Sequence, residues 1–89
     1  MAYSSKNLSA LAYANGFTLW HYKTSDLALE VDTTGYFNGA ATMLRAGDFI
    51  MANTNTSGTV QSGMFIVKSN SGTVVDVANI ADFGSVNTD

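Results

Sequence analysis

TVQSGMFIVKSNSGTVVDVANI, residues 59–80, consists of two β-rich runs around a polar break. Val, Ile, Phe and Thr suit a pleated, half-buried surface. Asn70-Ser71-Gly72 between the runs reads as a three-residue hairpin loop, with glycine where φ must be positive. The stretch predicts one long strand over Thr59–Ser69, bulged at Gly63, and a return strand over Thr73–Ile80. Its register would bring Phe65, Ile66 and Val67 near Val74, Val75 and Val77.

Upstream, Asp48–Ala52 reads as a strand that follows Gly47, a residue able to end a helix in the left-handed conformation. The run Gly39–Arg45 gives about one apolar-sided turn of helix, with Asn38 as its N-cap. Leu27–Val31 alternates weakly and reads as a short strand between turns at Lys23–Asp26 and Asp32–Gly35. Phe17–Tyr22 is a strand with Phe17, Leu19 and His21 on one side and Thr18, Trp20 and Tyr22 on the other. Both sides are largely apolar, so both are expected to be covered, one of them by a neighbouring subunit.

Residues 8–14, LSALAYA, admit two readings. Their Ala and Leu content favours a short helix stopped at Asn15-Gly16. Asn-Gly between apolar residues is equally a hairpin signal, which would pair Ala10–Ala14 with Phe17–Tyr22. The expected fold is mainly β: a small β-sandwich or barrel of about five or six strands with one or two short helices. It forms a single domain over residues 1–89, with extended arms at 1–7 and 82–89.

The composition limits the function. Only 12% of the 89 residues are charged and 46% are hydrophobic, against about 25% charged in an ordinary soluble domain. A chain this short leaves much of itself at the surface, and its few charges cannot cover that surface. There is no Cys, so no disulfide and no thiolate metal site is possible. One histidine, His21, makes a histidine zinc site improbable. Shielding by other copies or by a larger assembly is the remaining staple.

The net charge is −3, and Lys6, Lys23, Arg45 and Lys68 are scattered, which argues against nucleic-acid binding. No apolar run reaches membrane-spanning length. Met1–Asn7 lacks a secretory apolar segment, so folding in a cytoplasm is expected, and the Asn7 and Asn55 glycosylation patterns carry little weight. Pro is absent, so strand edges lack that block to joining between copies.

Reactive groups are sparse. His21 sits in an aromatic strand and reads as packed rather than as a base. Asp26, Glu30 and Asp32 lack calcium-loop spacing and read as a solvated turn. Asp48, at the mouth of a strand, reads as an acceptor for backbone N–H groups at the corner. No nucleophile elbow, phosphate loop or dinucleotide fingerprint is present. No catalytic, metal or cofactor-binding residue is assigned. Tyr3, Trp20, Tyr22, Arg45, Phe83 and Val86 are the candidate interface residues.

The stretches Gly35–Ile50 (GYFNGAATMLRAGDFI) and Leu11–Tyr22 (LAYANGFTLWHY) resemble small proteins encoded among the virion genes of tailed bacteriophages and prophages. The resemblance spans residues 4–52 and brings no catalytic residue with it. It implies a noncatalytic virion structural protein, best fitted to a capsid decoration (cement) protein on the head surface. The major capsid protein would be its partner, beside copies of itself, with a trimer expected because decoration proteins commonly occupy three-fold positions. A tail or fibre module contacting a cell-surface glycan is the alternative, and a small enzyme or inhibitor acting in the host is a third.

Overall fold

The computed structural model describes residues 3–84. It is mainly β: six strands and one short helix. The strands are β1 (Leu8–Ala14), β2 (Phe17–Lys23), β3 (Phe49–Thr54), β4 (Gln61–Asn70), β5 (Val75–Val77) and β6 (Ala81–Asp82); α1 is Ala28–Val31. The sheet order is β1-β2-β3-β4-β5, with β6 also on β4.

The first hairpin settles residues 8–14 as strand. Asn15 and Gly16 both take positive φ, 53° and 80°. That pair of angles is the mirror-image turn whose twist matches two antiparallel strands. Helix propensity favours Ala and Leu by tenths of a kcal/mol each, and pairing with β2 at six of the seven β1 residues outweighs it. The register shifts at Leu11, a bulge that separates the Leu8–Ala10 and Ala12–Ala14 pairings.

β2 and β3 run parallel, Leu19 opposite Phe49 and Lys23 opposite Asn53. Parallel neighbours require a crossover of a dozen or more residues, and residues 24–48 provide it. The demand for a crossover explains two departures from the sequence reading. Leu27–Val31 is not a strand: Ala28–Val31 is helical, and the Glu30 carboxylate accepts the Leu27 N–H at 2.8 Å. The expected helical turn after Asn38 is reduced to a 3₁₀ turn at Asn38–Ala40.

β3 and β4 pair antiparallel without interruption, from Phe49–Ile66 to Thr54–Gln61. Gly63 is therefore not a bulge. A Cβ there would press on the Ala81 carbonyl oxygen and lie 2.7 Å from Ile80 Cγ1, so glycine lets the return strand lie close over β4. The irregularity falls between Val67 and Ser69 instead, against β5. Gly72 does turn the chain with positive φ (101°), and the pairing closes at Asn70–Val75. Val67 faces Val77; Phe65 and Ile66 pair with β3 on the other edge.

The core lies between one sheet face and the crossover. Trp20, Tyr22, Ile50, Ala52, Phe65, Val67, Val75 and Val77 come from the strands, and Ala28, Val31, Phe37, Ala40 and Leu44 from residues 24–48. Each fully buried Leu, Ile, Val or Phe side chain contributes roughly 1.5–3 kcal/mol. The opposite sheet face carries Phe17, Leu19, Phe49, Met51, Met64 and Ile66, and among the described residues no layer lies over it.

Candidate functional site

Two buried carboxylates look first like chemistry. Asp48 is 2% exposed. Its Oδ1 accepts the Thr18 N–H at 3.2 Å; its Oδ2 accepts the Trp20 indole N–H and the Arg45 N–H, both at 3.1 Å. Gly47 (φ 95°) places it there, and Gly47 N–H bonds the Val67 carbonyl at 2.8 Å. A carboxylate that accepts three donors, two from β2 and one from the crossover, is a corner brace, as its sequence position suggested. The indole link is the part that the sequence did not announce.

Asp26 corrects the solvated-turn reading of the acidic cluster, being only 2% exposed. Its Oδ2 accepts the Tyr36 hydroxyl at 2.6 Å, and Tyr36 in turn lies 2.9 Å from the Tyr22 hydroxyl, which accepts the Ser4 N–H at 3.0 Å. This chain of hydroxyls ties the N-terminal segment, the crossover and β2 together. Burial, then the hydrogen bond to Asp26, pushes the Tyr36 phenol well above its ordinary range. The unfolded chain ionises this phenol at about pH 10, whereas the folded chain holds the proton. The network's contribution is therefore complete below pH 10 and lost as the pH rises toward the folded value. The urea midpoint is expected to fall between pH 8 and pH 11, and to fall less in Tyr36→Phe. Equal falls in both proteins would contradict this assignment.

The outer face carries one polar row. His21 Nε2 donates to Asn53 Oδ1 at 2.9 Å, and Asn53 Nδ2 donates to Ser62 Oγ at 2.9 Å, crossing β2, β3 and β4. Activating a serine requires its hydroxyl against the base; here an amide stands between them. The row stitches strands and is not a catalytic pair. Among the described residues no group of three or more His, Asp or Glu side chains is placed to hold a metal ion. None of their helices is long and apolar enough to cross a membrane.

The structure separates the candidate interface residues. Tyr22 is fully buried and Trp20 is 9% exposed, so the aromatics assigned to a partner belong to this chain's own core. Both faces of β2 are apolar, and the crossover covers the Trp20 side while Phe17 and Leu19 face outward. A glycan platform built on Trp20 loses its ring for the same reason. Tyr3 also folds inward, stacking on Tyr22 at 5.7 Å and meeting Phe37 edge-on at 5.6 Å, with its hydroxyl buried and unpartnered among the described residues. The start of the expected N-terminal arm is thus docked on the core. Arg45 and Phe83 are exposed, and the Phe83 N–H bonds the Ser62 carbonyl at 2.8 Å. Val86 lies outside the described residues.

The surface available for contact is elsewhere. β1 is exposed at six of its seven residues, on both faces. Leu11 and Tyr13 are 55% and 65% exposed. One edge of β1 pairs with β2 and the other edge is the end of the sheet. Beside it the outer face presents Phe17 against Phe49 at 5.3 Å, with Met51 beyond. The Asn15-Gly16 turn was the signal that could have found this site, because the hairpin reading makes residues 8–14 an uncharged edge strand. The chain matches no protein-family model, no curated protein and no solved structure.

Proposed function

We propose that this protein is a noncatalytic structural component of a tailed-bacteriophage virion, a head decoration protein made in the host cytoplasm and assembled on the capsid surface. The observation that carries the reading is the open, uncharged β1 edge beside an uncovered apolar sheet face. An unpaired edge offers a row of backbone donors and acceptors to another chain, and a sheet face with no second layer offers apolar area. The resemblance over residues 4–52 supplies the virion setting. In that setting the major capsid protein and further copies of this chain are the partners.

Cementing is a task for such a surface. Each contact between neighbouring capsomers contributes modestly, and many copies act together, so internal pressure must open all of them. Added strands bring main-chain hydrogen bonds without requiring a reactive group. The test is to mix the purified protein with undecorated heads and sediment them. Binding stoichiometric with capsomers, and greater resistance of the heads to heat, is the expected result. Heads that sediment without it, or virions that carry it only in tails, would overturn the reading.

A further inference from the structure

We propose that two copies of this chain join through their β1 strands, antiparallel and about a two-fold axis, to continue one sheet across both molecules. The inference deepens the self-association within the reading above and rests on the edges of the sheet.

The two ends of the sheet are not equivalent. At the far end β5 is three residues long, and the outer groups of Val75 are taken: its N–H donates to Asn38 Oδ1 at 2.9 Å, and its carbonyl accepts the Gly35 N–H at 2.9 Å. Asp76 and Asp82 add charge along that side. Short length, occupied groups and charge are the devices that stop strand addition. β1 has none of them beyond the bulge at Leu11. It runs for seven residues, carries no charge and no proline, and is exposed on both faces. A head-to-tail filament needs two receptive edges, and the described residues present one. The arrangement that satisfies a single edge is pairing with a second copy rotated by 180° about a two-fold axis, which closes at two copies.

Charge selects the same occupant. Identical strands laid antiparallel bring each residue type against a copy of the same segment. A charged strand would repel itself, and LSALAYA has no charge to repel. The exposed Leu11 and Tyr13 side chains add apolar area on either side of the seam. A seven-residue edge is smaller than the ~800 Å² per partner of a standard stable interface, so the pairing is concentration dependent and strengthens where a surface gathers many copies.

Analytical ultracentrifugation of the full chain tests this. The wild type is expected to move with concentration toward twice the 9.4 kDa chain mass. The double variant Ala10→Lys/Ala12→Lys, at two exposed β1 positions on opposite faces, is expected to weaken the association at least about tenfold. Far-ultraviolet circular dichroism confirms that it folds. Met51→Lys, in the middle of the outer face, is expected to leave the association unchanged. A monomer at every concentration, a trimer, a dimer untouched by the β1 lysines, or one broken by Met51→Lys would overturn the pairing. A dimer that ignores phage heads would leave this inference standing and remove the head reading; a strict monomer that coats heads would do the reverse.

Discussion

Asp48→Ala is expected to lose about 3–5 kcal/mol of stability, measured as a fall in the urea midpoint with an unchanged slope. The carboxylate accepts from the Thr18 N–H, the Arg45 N–H and the Trp20 indole N–H. Each buried donor left without a partner costs about 1–3 kcal/mol, and hydrogen bonds to charged groups are stronger than neutral ones. A domain of 89 residues has on the order of 5–10 kcal/mol in all, so the variant sits near the edge of folding. Asp48→Asn is the informative companion. An amide oxygen in the place of Oδ2 keeps the Trp20 and Arg45 bonds, but the amide nitrogen then confronts the Thr18 N–H. It is expected to lie between wild type and alanine. Wild-type stability in Asp48→Ala would remove the brace from the account.

Tyr22→Ala is expected to cost about 3–5 kcal/mol, the range for deleting a buried aromatic. Its ring lies at the centre of the aromatic cluster, 5.1 Å from Phe37, 5.7 Å from Tyr3 and 6.1 Å from Tyr36. Its hydroxyl also links the Ser4 N–H to Tyr36. Tyr22→Phe keeps the ring and drops the link, and a loss of only about 1 kcal/mol is expected. The pair of variants separates packing from hydrogen bonding. It also separates a core tyrosine from an interface one: an interface residue would leave thermal melting of the dilute protein unchanged and alter only association.

Some of this was legible in the chain and some was not, for physical reasons. Gly72 and Gly47 sit where local geometry demands positive φ, and local demands are written locally. Asp48 follows the same rule, since its backbone partner Arg45 is three residues away. The six-strand, mainly β character follows from β-branched runs and turn residues. What failed depended on distance. LSALAYA favours helix when taken alone, and its pairing with β2 overrides that preference. Leu27–Val31 became helix because β2 and β3 are parallel and must be bridged, a fact set by strand order. The two faces of β2 are both apolar, so periodicity could not say which one the crossover would cover. His21 and Lys23 on the Phe17 side were the available hint that this side faces outward. Asp26 looked solvated because its partner, Tyr36, is ten positions along the chain.

The interaction surface depends on the same distant pairing. Once residues 8–14 are strand, the described residues give one sheet end whose Val75 groups are occupied and one open, uncharged end. Amide hydrogen exchange across protein concentration measures that difference residue by residue. Backbone amides within Leu8–Ala14 should exchange more slowly as concentration rises, while those of Val75–Val77 keep their rates. Exchange in β1 that stays fast while the protein dimerises would contradict the account.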